Sequence, residues 1–170
     1  MALRGDRKIT DGTDISFFMN ETGTRGEILV FSTGGSGAAM DDSTAVVKTP
    51  VIGSGERIAG LLLNDMVNLD LTRTHINQHK DEVQQGGKVT LLRHGVVVTN
   101  VIDTGTAGVP TIGAPAYLGY GAITSGGTSE GWVSATKVTD TDEGDEVYRV
   151  GTFLSTKDSD GYAKLEVNIA

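Results

Sequence analysis

The chain has 170 residues, a net charge of −8, 24 glycines, 3 prolines, 4 phenylalanines, 4 tyrosines, 1 tryptophan and no cysteine. Lack of cysteine excludes disulfides, thiol catalysis and cysteine-ligated zinc. The acidic balance argues against a general nucleic-acid binder, which needs a basic surface to displace counterions from phosphate, and no apolar run approaches the roughly 20 residues of a membrane helix.

The first residues, MALRGDRKITDGTD, are charged and lack an apolar centre, so they do not read as a secretory signal. The expectation is a soluble chain that stays in the cytoplasm where it is made or leaves by lysis. Abundant Gly, Thr and Val with few helix formers predict β-structure with many turns, as a small β-barrel or β-sandwich.

Residues 1–27 are polar and turn-rich, with Asp11-Gly12 and Gly23 around a short apolar patch at Ile15, Phe17, Phe18 and Met19. They read as an extended N-terminal arm with one anchor, leaving residues 28–170 as the β domain. Residues 1–10 set Arg4, Arg7 and Lys8 against Asp6, a net of +2, whereas residues 137–146 set Asp140, Asp142, Glu143, Asp145 and Glu146 against Lys137, a net of −4. A basic arm on an acidic body suits docking to a partner or a neighbouring subunit. A solvated tail and a solvated loop account equally well for either patch alone.

Residues 27–32 (EILVFS) predict a short strand, 33–39 (TGGSGAA) a loop, and 45–49 (AVVKT) a second strand ended by Pro50. Residues 57–64 (RIAGLLLN) are short and almost wholly apolar, which predicts a buried strand. Residues 65–85 have two readings. Met66, Leu69 and Ile76 share one helical face; alternatively the segment is an extended excursion packed on a neighbour, with Arg73, Lys80, Asp81 and Glu82 marking it as exposed.

Residues 88–92 (KVTLL) and 95–101 (GVVVTNV), separated by Arg93-His94, predict a hairpin with Gly95 near its turn. Residues 103–116 read as loop, 116–120 (AYLGY) as a short strand, and Ser125-Gly126-Gly127 as part of another loop. Residues 147–154 predict a strand, Asp160-Gly161 a tight hairpin turn, and the alternating residues 163–169 (AKLEVNI) a half-buried closing strand.

A weak internal echo is present. Ile58-x-Gly60-x-x-Leu63, then Gly87-Lys88-Val89, resembles Val150-Gly151-x-x-Leu154, then Gly161-Tyr162-Ala163. Glycine inside a strand marks a bulge or a close backbone approach. Two related β units or chance similarity would each produce this pattern.

His75-x-x-x-His79 is the best metal candidate, since it puts two imidazoles on one helical face with Glu82 a turn beyond. The zinc-hydrolase signature needs a glutamate directly after the first histidine, and Ile76 stands there, so the general base is missing. Asp158-x-Asp160-Gly161 with Glu166 faintly resembles a calcium loop but has too few oxygen ligands, and a hairpin explains it better. Gly34-Gly35-Ser36-Gly37 lacks the Gly-Lys-Ser/Thr of a phosphate loop, and Ser36 has no nucleophile-elbow context. Arg4-Gly5-Asp6 spells an integrin-binding tripeptide too short to weigh. Trp132 anchors a loop or lines an interface. No catalytic, cofactor or metal residue emerges.

Four pieces resemble the head-decoration (cement) proteins of tailed bacteriophages, especially cyanophage-like ones: ALRGDRKITDGTDISFFMNE, AGLLLNDMVNLDLTRTHINQHKDEVQQGGKVTLLRHGVVVTN, APAYLGYGAIT and VGTFLSTKDSDGYAKLEVNI. Together they cover most of the chain, although residues 125–147 find no counterpart. The resemblance implies a small β protein that binds the outer capsid surface of a virion as a homotrimer and clamps neighbouring major capsid proteins, with no turnover, cofactor, nucleic acid or membrane. A threefold interface would add burial that a modest core lacks.

Charge and exposure make Arg4, Arg7 and Lys8, with Phe17 and Phe18 as anchor, the expected capsid or inter-subunit contacts, followed by Arg73, His75, His79 and Lys80 in the excursion. The rival readings are another virion subunit, such as a tail-tube or head–tail joining protein, and a metal-dependent hydrolase using His75, His79 and Glu82.

Overall fold

The computed structural model describes residues 3–4, 12–32, 44–47, 57–65, 82–83, 85–86, 88–103, 109–119, 131–136 and 149–169. Every regular element among them is a strand, so the chain is mainly β, as composition predicts. In order these are β1 (Leu3–Arg4), β2 (Gly12–Met19), β3 (Gly23–Thr24), β4 (Ile28–Phe31), β5 (Thr44–Val47), β6 (Ile58–Asp65) and β7 (Glu82–Val83). There follow β8 (Lys88–Thr99), β9 (Ile102–Asp103), β10 (Pro115–Leu118), β11 (Val133–Ser134), β12 (Arg149–Phe153) and β13 (Ala163–Asn168).

β8 is the spine. Its first half pairs β6 on one flank (Leu61 opposite Leu92) and β2 on the other (Phe17 opposite Val89). Its second half pairs β13 (Leu165 opposite Val97) and β1 (Arg4 opposite Val98). β2, β5, β4, β6 and β8 pair in turn and back to β2, closing a five-stranded barrel. From β8 onward a second sheet runs β8-β13-β12-β10-β11-β9 and curls until its last strand is the chain continuation of its first. A small β3–β7 ladder stands apart.

Two cores result, with β4, β6 and β8 as the wall between them. Leu29, Ala59, Leu62, Val89 and Leu91 fill the barrel with Phe17, Met19, Val46 and Val83. Ile28, Val30, Ile58, Leu61 and Leu92 face the other way, onto Ile102, Leu118, Val133, Phe153, Leu165 and Val167. This explains the unbroken apolar runs of β4 and β6, because a strand buried on both faces has no polar side. A register shift lets β6 keep both faces in use: Leu29 faces Gly60 and Val30 faces Ile58, so Ala59 is the extra residue of a bulge.

Two expectations are corrected. Residues 88–101 are not a hairpin. Lys88–Thr99 is one strand, and Gly95 sits within it at φ 151°, an extended conformation reserved for glycine. The turn-like Arg93-His94-Gly95 marks the point where the spine changes partners: Gly12 faces His94 but Thr13 faces Leu92, and the Ile169 amide bonds to the Arg93 carbonyl. Nor does the chain from Gly12 to Met19 behave as an arm, for β2 is a barrel strand between β5 and β8. Phe17 and Met19 alternate into the core, and the Phe17 ring lies 5.7 Å from that of Phe31.

The remaining strands match expectation closely, including the half-buried alternation of β13. The Asp-Gly turn lies within a longer connection. There the Asp158 carboxylate accepts the Asp160 amide at 3.0 Å and the Tyr162 amide at 2.7 Å, and Gly161 takes φ 88°. The echo also has a physical counterpart. A Cβ on Gly60 would lie 2.8 Å from the Leu91 Cβ of β8, and one on Gly151 would overlap the Glu166 carbonyl of β13. In each unit the glycine lets its strand press against its ladder neighbour, β8 for Gly60 and β13 for Gly151.

Candidate functional site

The expected contact residues do not gather at one place. Phe17 is 6% exposed and belongs to the core, so it is not available to a partner. Its neighbour Phe18 points the other way, half-exposed, with the Lys88 ammonium 5.8 Å from its ring centroid. That distance gives a surface cation–π contact of about 0.5–1 kcal/mol. Arg4 is placed by β1 opposite Val98, near the far end of the spine. Arg7, Lys8, Arg73, His75, His79 and Lys80 lie outside the described residues.

The excursion leaves the sheet at Asp65, opposite Val89, and the chain is back in a ladder at Glu82, opposite Thr24. Val89 and Val98 are nine residues apart on one extended strand, about 30 Å at the usual rise. The basic N-terminal strand and the base of the excursion therefore serve opposite ends of the spine. A single small partner surface does not reach both.

Between them lies the outward face of the second sheet. It carries His94, Val96 and Val98 on β8 and Lys164, Glu166 and Asn168 on β13, in register as His94–Asn168, Val96–Glu166 and Val98–Lys164. The His94 Nδ1 and the Asn168 Oδ1 are 3.0 Å apart. Val96 and Val98 are half-buried, while Glu166 and Asn168 are exposed. The Asp158 carboxylate is occupied by backbone amides, as a turn organiser should be. Among the described residues no three His, Cys, Asp or Glu side chains converge as a metal site, and no helix is long and apolar enough to cross a membrane.

Trp132 is half-buried, and its carbonyl accepts the Gly119 amide at 2.6 Å. The preceding Gly131 carbonyl accepts the Ile28 amide at 2.6 Å, so this short segment ties β10 to β4 across the second core.

One surface escapes the sequence reading. Val109 is 67% exposed, Ile112 73% and Leu154 38%, whereas aliphatic side chains such as Leu63, Val96, Val97 and Val98 are at least half-buried. Ile112 and Leu154 flank one turn-to-strand contact, and Val109 precedes that turn in the chain. The Gly113 amide donates to the Phe153 carbonyl, the Phe153 amide to the Ala114 carbonyl, and the Ala114 amide to the Thr111 carbonyl. The turn is thus fixed to β12 next to Leu154. Gly113 at φ 82° makes the reversal, and buried Pro110 pins its start. Residues 103–116 carried only loop signals; Val109 and Ile112 as the large apolar residues within them were the one available hint.

Compared with known proteins, the chain matches no family model, and a search of curated sequences returns no relative.

Proposed function

We propose that the chain is a capsid decoration protein, which binds the outer surface of a phage head as a homotrimer and stabilises contacts between major capsid proteins. The observation that carries this reading is where the decoration-like sequence falls. AGLLLND is in β6, KVTLLRHGVVVT is β8, APAYLG spans β10, and VGTFL and AKLEVN are in β12 and β13. The resembling pieces thus supply β1, β2, β6, β8, β10, β12 and β13, the larger part of both the barrel and the second sheet. On this reading the protein works without turnover. It offers contacts at both ends of a spine about 30 Å long, and many weak contacts on one shell add through avidity.

Removing residues 1–8 tests it. The deletion takes away β1 with Arg4, Arg7 and Lys8 and leaves every barrel strand in place. The full chain is expected to bind undecorated heads as a trimer, and the truncated protein to stay folded and bind at least about tenfold more weakly, a difference typical of lost charge complementarity. Undiminished binding refutes the role of the basic strand. A full chain that ignores heads and assembles into tubes or larger rings refutes decoration in favour of a tail or head–tail joining subunit.

A further inference from the structure

We propose that Asp160-Gly161 is a site of spontaneous aspartate isomerisation, and that Asp158 keeps it closed in the folded protein. The chemistry is independent of any capsid contact.

The sequence narrows the place. No Asn stands before a glycine in the chain, and Asp precedes glycine only at Asp11-Gly12 and Asp160-Gly161. Of these two, Asp160-Gly161 has both residues among those described. An Asp-Gly bond is the kind most open to the reaction, because glycine has no side chain to shield its backbone nitrogen. The Gly161 nitrogen attacks the Asp160 Cγ. A C–N bond forms and a Cγ–O bond breaks, and the oxygen leaves as water with the amide proton and the carboxyl proton. The product is a five-membered succinimide. Water then adds back at the Asp160 backbone carbonyl and breaks its bond to the Gly161 nitrogen. The main chain now runs through the side-chain carbon, with no net change in mass and no oxidant or reductant.

Space does not protect this bond. Asp160 is exposed, and beyond its chain neighbours a Cβ on Gly161 would meet only the Lys157 Cε, at 3.4 Å.

Hydrogen bonding does protect it. The Gly161 amide donates to the Asp158 carbonyl at 3.0 Å, so the attacking nitrogen is already committed. A backbone carbonyl is too weak a base to take that proton, and the bond restrains the nitrogen rather than activating it. The Asp158 carboxylate in turn accepts the Asp160 amide at 3.0 Å and the Tyr162 amide at 2.7 Å. The peptide groups on both sides of Asp160 are thus tied to one residue, and the ring closes only when they are released. That release is a local opening of the β12–β13 connection and does not require the sheets to unfold. Once formed, isoaspartate puts an extra main-chain carbon between Asp158 and β13, so the Tyr162 amide no longer matches the Asp158 carboxylate.

The test holds the full-length wild type, Asp158→Ala, Asp160→Glu and Leu61→Ala for weeks at body temperature and mildly acidic pH, with wild type in urea alongside. Circular dichroism checks each fold, and peptide mapping with electron-transfer fragmentation measures isoaspartate at residue 160. Wild type in urea is expected to isomerise at least about tenfold faster than the folded protein. Asp158→Ala loses two hydrogen bonds and is expected to isomerise about two- to thirtyfold faster than the folded wild type. Asp160→Glu, which would need a six-membered ring, should give no isomer at this position. Leu61→Ala weakens the core but leaves the loop untouched, and should keep the wild-type rate. Equal rates for folded and unfolded wild type overturn the inference, as does an Asp158→Ala rate no higher than that of the wild type. If Leu61→Ala accelerates the reaction as much as Asp158→Ala, the protection is global and Asp158 is not its source.

Discussion

Gly151→Ala probes how tightly the second sheet is built. Gly151 stands opposite Val167 on β13 and opposite Ala116 on β10, in the interior of the ladder. A Cβ there would overlap the Glu166 carbonyl oxygen, lie 2.9 Å from the Glu166 carbonyl carbon and 3.2 Å from the Val167 Cα. All three are backbone atoms, so no rotamer change relieves them, and β13 must move away from β12. Overpacking alone costs about 1–3 kcal/mol. The strand shift also weakens one or two ladder hydrogen bonds, each worth about 1 kcal/mol. Against this, alanine is favoured over glycine in a strand by about 0.5–1 kcal/mol. The net expectation is a loss of about 1–4.5 kcal/mol, or about 2–18 °C in melting temperature for a chain of this size.

Gly86→Ala is the comparison. Gly86, unlike Gly151, has a positive φ, 85°, but nothing lies within 4 Å of its Cβ position, so only backbone strain of about 1–2 kcal/mol applies. Urea denaturation of both variants, read by circular dichroism, measures the difference. A Gly151→Ala protein as stable as the wild type, or more stable than Gly86→Ala, would show that β12 and β13 are not as close as described.

Two further outcomes are expected. Leu61→Ala and Leu62→Ala are adjacent changes that empty different cores, and each should cost about 2–5 kcal/mol in the same denaturation assay; a neutral result for either shows that its face of β6 is not buried. Asp158→Ala removes the acceptor of two backbone amides and should destabilise the β12–β13 connection by about 0.5–2 kcal/mol, with faster amide exchange at Asp160 and Tyr162 seen by NMR, whereas Asp158→Asn keeps an acceptor oxygen and should lose less.

Much of the fold was legible because burial leaves its mark on residue type. β4 and β6 announce themselves as apolar runs, and β13 as a clean alternation. The long β8 was misread because Arg93-His94-Gly95 has turn chemistry. What it records is a change of partner strand, a tertiary fact without local signal. β2 was misread for a related reason: its ladders are with residues 44–46 and 88–94, far along the chain, and strand preference depends strongly on such context. Phe17 and Phe18 looked equivalent as anchors, but strand alternation sends one inward and leaves the other beside Lys88. The exposure of Ile112 stayed hidden, since aliphatic residues in a loop give no warning of whether the fold will cover them.

The spine joins its two cores in a further sense. Val89 and Leu91 help to fill one interior, and Leu92, the next residue, helps to fill the other. Neither interior can open without pulling on a strand the other needs, so the two melt as one cooperative unit with a single transition. Amide exchange along β8 should accordingly report one common opening free energy on both sides of Arg93, and a stress applied at one end of the molecule is felt as instability at the other.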